Sequence, residues 1–427
     1  MKLDAKIVLA IIYLFVVSGL FFFPDRSHFF GLFSLYLISI AVYFYSLKCK
    51  EDYLFSSLLG VFLILGIISV FSIPVLSNDF YRFLWDGELF VKGINPYDYK
   101  PVELVEQSKL LSSKYFMSLY EGMGTLSQNH YSCYPPFSIY LFGFCSFFTN
   151  DLEVNIMVMH LIILLFQLPG IYFGKKLCEI MGVNNKWLFI LFLHPLYLVE
   201  VFGNLHFEGI MIPLLLTCFY FFHKKIIFIS SFFMALAIHI KLIPIVFFGA
   251  FFSILSFKNF FRFFVLSICL TILFSIGLMD QNNIINFLDS LKLYFGKFEF
   301  YSFVYVYFQK LNLTFFITLL NITLLIYAFY RFKKGVFYWQ ESIPLILIIF
   351  YLLSGTVHPW YLLTILLFAP FCKMKTVLIY PSIGFVSYLF YGIGDGYVLR
   401  LIYMLSYLVI LYFLWFDLQA IKRRGSL

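Results

Sequence analysis

The chain has 427 residues, 62% of them hydrophobic and only 12% charged, with a mean hydropathy of +0.93. These values exclude a soluble globular enzyme and point to a membrane protein. The formal charge of +8 is spread over short basic segments and forms no single patch, which fits membrane orientation and gives no sign of a nucleic-acid partner.

Apolar runs recur along nearly the whole chain. They predict spans near 6–23, 29–47, 53–76, 154–174, 187–202, 208–222, 226–242, 245–257, 263–279, 313–330, 343–355, 360–371, 376–391 and 398–416. The expected fold is all-α, a polytopic transmembrane helical bundle of about 14 spans, although several runs fall short of the ~20 residues a span needs. The first run, Lys6 to Phe23, has no small-residue cleavage site and leads into Pro24-Asp25-Arg26, so it reads as an uncleaved span. The 60 Phe and 32 Tyr admit two readings, interfacial aromatic belts or a compositional bias. The seven cysteines show no metal spacing; Cys133 and Cys145 could meet on the outer side, but spacing decides no disulfide.

Basic residues orient the spans. With the N-terminus inside, the cytoplasmic segments receive Lys2, Lys6, Lys48, Lys50, Lys175, Lys176, Lys186, Lys224, Lys225, Lys258, Arg262, Arg331, Lys333, Lys334, Lys373, Lys375, Lys422, Arg423 and Arg424, well over half of the basic total. The expected setting is a multi-pass protein of a bacterial inner membrane with both termini cytoplasmic. This topology requires 136–148 to lie along the outer surface as a juxtamembrane helix, and Pro244 to mark a turn within 226–257. A rival lets 136–149 cross and merges 226–257 into one span, which moves Lys175, Lys176, Lys186, Lys224 and Lys225 outside. The charge argument favours the first arrangement. Residues 1–427 then form a single domain in which 77–153 is a large outer catalytic loop with juxtamembrane helices.

The polar motifs collect on that outer face. Residues 78–87, NDFYRFLWDG, follow the third run and place Asp79, Arg82 and Asp86 at i, i+3 and i+7, on one face of a helix. Charges at the mouth of an apolar span mark a functional site or an interfacial helix whose charges meet water. Residues 93–97, GINPY, form a turn that is foremost a rigid loop end. In 131–136, YSCYPP, proline starts a new element, and the flanking His130 and Tyr134 could hydrogen-bond a substrate. Glu200, Asn204, His206 and Glu208 crowd one connection between spans, where a simple link would need no such set; polar capping of two helix ends is the alternative. His206 and Glu208 make only a weak metal signal. Lys241 either snorkels to the interface or meets a lipid phosphate as a point charge. Residues 358–361, HPWY, place Trp360 and Tyr361 as belt residues and His358 as a possible donor to a phosphate.

In this order, NDFYRFLWDG, GINPYDY, YPP, the Asn-His-Glu connection, a Lys-Leu-Ile-Pro segment and SGTVHPWYLL resemble polyprenyl-phosphate-mannose-dependent mannosyltransferases of the C-type integral-membrane glycosyltransferase superfamily. The resemblance covers roughly residues 70–365. It implies a catalytic-base Asp in the first large outer loop, matched by Asp79. It also implies a polyprenyl-phosphate sugar donor entering from the bilayer lipids, and a glycan or lipid acceptor arriving from outside. The sequence departs from relatives at Phe207, where a polar residue is common. On this reading Arg82, Lys241 and His358 are candidates for the donor phosphate, and Asp86 orients Arg82 or holds a divalent cation. Tyr134, Glu200, Asn204, His206 and Glu208 line the sugar or acceptor pocket. Metal dependence stays open. A transporter or flippase of a lipid-linked glycan is the main alternative, but it predicts charges near the bilayer midplane rather than at span ends. An envelope assembly subunit would not need three charges on one helical face.

Overall fold

A segment this apolar satisfies its backbone polar groups internally, and in a membrane that favours helix. The computed structural model describes residues 5–48, 54–107, 113–254, 256–296, 299–333 and 339–425, and among these no strand is present. Lys2, Lys50, Lys334 and, in the long loop, Ser108 lie outside the described residues. Helices α1 (Ala5–Phe21), α2 (Phe29–Lys48) and α3 (Phe55–Ser69) come first, with α1 packed against both others. The 77–153 segment folds as α4 (Asp79–Val91), α5 (Pro101–Gln107), α6 (Lys114–Gln128) and α7 (Pro136–Ser146), before the long α8 (Leu152–Ile180). Two short pieces, α9 (Phe189–Phe192) and α10 (Pro195–Leu198), lead to α11 (Glu208–His223), α12 (Ile227–Ile240), α13 (Phe247–Ile254) and α14 (Phe257–Ser275). The remainder is α15 (Gln281–Gly296), α16 (Val304–Lys310), α17 (Thr314–Lys333), α18 (Trp339–Leu352), α19 (Leu363–Leu366), α20 (Thr376–Gly384), α21 (Leu389–Ile393) and α22 (Tyr397–Gly425).

The all-α expectation holds, but the count of about 14 spans is not established. Among the described residues five helical stretches are long and apolar enough to cross a membrane: Phe29–Lys48, Leu152–Ile180, Phe257–Ser275, Thr376–Ile393 and Tyr397–Arg423. The pair Asn185–Phe192 and Pro195–Gly203, bent by 59°, would make a sixth. Other expected spans are apolar helices of 10–17 residues or shorter pieces. Proline interrupts two of the apolar runs, because it lacks the N–H that continues a helix and clashes with the preceding turn. Pro244 opens a 3-10 turn, Ile243–Val246, between α12 and α13, and Pro359 opens another, Pro359–Leu362, before α19. The 136–148 expectation becomes the 11-residue α7, begun by Pro136. At 1.5 Å per residue that is about 17 Å, too short for a hydrocarbon core of about 30 Å.

The bend between α9 and α10 leaves carbonyls without intrahelical donors, and the first two helices supply them. Tyr13 donates its hydroxyl to the Leu193 carbonyl, and Tyr43 donates to that of Ile190 at 2.7 Å. His194 caps α10 by accepting from the Leu196 N–H at 3.2 Å. Non-helical backbone among apolar helices persists where protein groups satisfy it in this way.

Packing brings α4 onto α7 and α6, α8 onto α11, and α11 onto α12. Gly87 lets α4 and α7 approach closely: a Cβ there would sit 2.3 Å from the Phe142 carbonyl oxygen. Beneath it Phe83 and Phe142 stack with centroids 4.7 Å apart, and Tyr134 and Phe207 meet both rings edge-on. Such pairs add to ordinary burial. Phe207 is therefore part of this aromatic core and does not face a substrate cavity.

Candidate functional site

Asp79 opens α4, and its position is fixed three residues earlier. Asn204 Oδ1 accepts from the Leu76 N–H at 3.3 Å, while Arg26 Nη1 donates to the Leu76 carbonyl at 3.1 Å. The chain is gripped on both sides just before the helix starts. The Ser77 hydroxyl accepts from the Asp79 N–H at 3.2 Å. Asp79 remains partly exposed, yet protein atoms crowd it enough to desolvate its carboxylate. Burial raises its pKa above the usual aspartate value, and the nearby cations Lys241 and Arg26, with a Ser77 hydrogen bond, act against that rise.

Lys241 stands where α12 ends. Its backbone is extended (φ −150°, ψ 149°), so the helix stops and the side chain leaves the apolar stretch. Its ammonium lies 2.6 Å from Glu208 Oε1, 5.2 Å from the centre of the Tyr361 ring and 6.0 Å from that of Trp360. Glu208 is buried, whereas the lysine side chain keeps 22% of its exposure. The cation thus has a fixed counter-ion on one side and an accessible face on the other, and its field reaches Asp79, His206 and His358.

A row of rings flanks this cluster. His206 stacks on Trp360 at 3.7 Å, Trp360 on His358 at 4.3 Å, and His358 on Phe300 at 4.6 Å. Burial, then the Lys241 charge, pushes the His358 pKa down to about 3. Burial, Lys241 and His358 likewise hold His206 well below its ordinary value. Both imidazoles are neutral at neutral pH, so the 3.4 Å contact of His206 Nε2 with Glu200 Oε2 is not an ion pair. Glu200 accepts from the Tyr388 hydroxyl at 2.9 and 3.1 Å and from Asn204 Nδ2 at 3.3 Å.

The structure thus gathers Asp79, Lys241, Glu208, Glu200, Asn204, His206 and His358. Arg82 and Asp86 point to a different task. Arg82 is buried, with Nε 2.8 Å from Asp86 Oδ1 and Nη1 donating to the carbonyls of Ser127 (2.7 Å) and His130 (2.9 Å). Asp86 Oδ2 accepts from Ser132 at 2.6 Å. The pair fastens α4 to the end of α6 and the segment that follows it. Tyr134 contributes its ring to the aromatic core and its carbonyl to the Tyr97 hydroxyl. No three His, Cys, Asp or Glu side chains converge as metal ligands among the described residues. Cys133 and Cys145 are not joined by a disulfide.

Sequence reasoning missed Arg26, Tyr388 and Tyr391. Arg26 lies 4.1 Å over the Tyr391 ring as well as on Leu76. Its only sequence signal is being the first cation after the first apolar run.

Residues 58–256 match a family described as alpha-(1->6)-mannopyranosyltransferase, N-terminal domain. The matched segment is similar to a mannosyltransferase-family N-terminal domain. The match bears out the resemblance to membrane mannosyltransferases, and it contains Asp79, the Glu200–Glu208 connection and Lys241. Arg26, His358, Trp360 and Tyr388 complete the cluster from outside the matched residues. No curated protein matches the chain.

Proposed function

We propose that the chain transfers a mannose from a polyprenyl-phosphate carrier to a hydroxyl of a glycan or lipid acceptor on the outer face of the membrane. The observation that carries this reading is the placing of a desolvated carboxylate, Asp79, near a partly accessible cation, Lys241, in a chain whose residues 58–256 match a mannosyltransferase family. Asp79 takes the proton of the acceptor hydroxyl as its oxygen attacks the anomeric carbon. The bond from that carbon to the phosphate oxygen breaks, and the polyprenyl phosphate leaves with the electron pair. Lys241 faces the charge that develops on the leaving group. Glu208 holds Lys241, and Arg26 and Asn204 hold the backbone that carries Asp79. His206, His358 and Trp360 turn their ring edges and neutral N–H groups to the sugar, with Glu200 behind them. In this reading Arg82 and Asp86 are positioning residues.

The test is incubation of membranes containing the protein with radiolabelled polyprenyl-phosphate mannose, scoring label in endogenous acceptors against membranes carrying Asp79→Asn. Transfer in the first only is expected. Label that enters equally in both, or only from a nucleotide sugar, would overturn the proposal.

A further inference from the structure

Helix α8 is apolar from Leu161 to Ile171 except for one polar side chain, Gln167, which is fully buried. A buried amide among apolar helices is costly unless its hydrogen bonds are made. Gln167 makes them. Its Nε2 donates to the Gly209 carbonyl at 2.6 Å and to the Ile163 carbonyl of its own helix at 2.8 Å. Its Oε1 accepts from the Tyr197 hydroxyl at 2.6 Å. Tyr197, on α10, is buried as well.

The Gly209 carbonyl needs an outside donor because of Pro213. In a regular helix it would accept from the N–H four residues on, and that residue is Pro213, inside α11. The proline ring also crowds that carbonyl and turns it away from the helix axis. Helix α8 is close enough to answer it. A Cβ on Gly170 would sit 2.6 Å from the Pro213 Cβ, so the two helices touch at the proline. In an apolar setting, side chains of a neighbouring helix satisfy backbone groups that proline frees.

Gly209 follows Glu208, the first residue of α11, and Glu208 holds the Lys241 ammonium at 2.6 Å. The turn that carries this ion pair therefore lacks one of its own helical bonds and takes the Gln167 bond in its place. The bonds of Gln167 go to Gly209, Ile163 and Tyr197, so its influence on Lys241 passes through the first turn of α11. We propose that Gln167 is a positioning residue: its amide replaces the N–H that Pro213 lacks, and so fixes the turn from which Glu208 orients Lys241. Its bearing on transfer rests on the reading given above. The orientation of Lys241 does not, and the experiment separates the two.

The full-length protein, purified in nanodiscs, is treated with an amine-acylating reagent, and modification of Lys241 is followed by peptide mass spectrometry. An ammonium held by a carboxylate gives up its proton less readily and acylates more slowly. Glu208→Gln sets the rate for a released lysine. Gln167→Leu should speed Lys241 acylation several-fold toward that rate. In the transfer assay it should raise the donor KM about tenfold, the scale of one hydrogen bond to a charged group, and leave the acceptor KM unaltered. Pro213→Ala restores the missing N–H. It should return both readouts to wild-type values in the Gln167→Leu background and change little by itself, whereas a general loss of packing would not be rescued in this way. Tyr197→Phe removes only the hydroxyl that orients the amide and is a second route if Gln167→Leu misfolds. It should move both readouts in the same direction, and neither once Pro213→Ala is present. Unchanged acylation in the Gln167 and Tyr197 variants, or changes that Pro213→Ala leaves in place, overturn the positioning role. A failed transfer assay alongside rescued acylation overturns the transfer reading and supports the positioning role.

Discussion

Arg82 and Asp86 sit one helical turn apart on α4, and their 2.8 Å ion pair is buried, with further bonds to Ser127, His130 and Ser132. An ion pair this enclosed acts as a clasp, because breaking it strands a charge. Arg82→Ala should cost about 3–5 kcal/mol of stability, the usual scale for removing one partner of a buried pair. Arg82→Lys keeps the charge but loses the planar fork that reaches three acceptors, so it should destabilise less than Arg82→Ala. Thermal inactivation in detergent measures both. A raised donor KM with unchanged thermal stability would return Arg82 to the donor phosphate.

Asp79→Asn preserves the shape of the side chain and removes the base. General-base catalysis contributes typically ~10²–10⁴-fold in rate, so kcat should fall within that range while expression and membrane insertion persist. Asp86→Asn is the matched control, expected to lose stability more than turnover. Near-normal turnover in purified Asp79→Asn would remove Asp79 from the mechanism; loss confined to Asp86→Asn would move the base there.

The pH profile follows from the same carboxyl. Burial raises the Asp79 pKa and Lys241 opposes the rise. A base must be ionised to accept a proton, so kcat/KM should drop as pH falls through that elevated pKa, above the ordinary aspartate value of about 3.9. Lys241→Met removes a charge that favours the carboxylate, so the acid limb should move to higher pH. An acid limb at the same pH in both proteins would show that another group controls it.

Topology is open to cysteine labelling in intact cells. Asn150 and Gly396 are exposed, as is Lys224. In a cysteine-free background, Asn150→Cys and Gly396→Cys should react with an impermeant thiol reagent at once, and Lys224→Cys only after permeabilisation. Immediate labelling of Lys224→Cys would favour the arrangement in which 136–149 crosses the membrane. Asn204 is too deeply buried to serve as a reporter.

Much of this architecture has a local signature. The charges of 78–87 repeat at helical spacing, and they do lie on a helix, Asp79–Val91. Pro136 and Pro244 each open a helical turn, as their fixed φ suggests. What stayed hidden depends on long-range pairing. Tyr388 reaches Glu200 across 188 residues, and Arg26 reaches Leu76 across 50. A single tyrosine in an apolar run, or one arginine beside a proline, carries no periodicity that would reveal such a partner. Phe207 shows the converse. Beside a histidine and a glutamate it looks like a lost polar contact, yet its ring packs edge-on against the stacked pair Phe83 and Phe142. The span count is the least legible part, because hydropathy sums over windows while a turn such as that at Pro244 is set at one residue.

The hydroxyls of Tyr13 and Tyr43 on the bent backbone at 190–193 have a bearing on how this protein can be dissected. The recognisable family signature starts at residue 58, yet the bend inside it borrows two donors from ahead of that boundary. Arg26, which holds the strand of chain before Asp79, comes from the same leading segment. A fragment trimmed to the signature would therefore leave two carbonyls without these donors and loosen the backbone before Asp79 in the same cut. Tyr13, Arg26 and Tyr43 thus tie the two leading helices into the matched segment, and a minimal fragment should keep them to hold its bend and the start of α4.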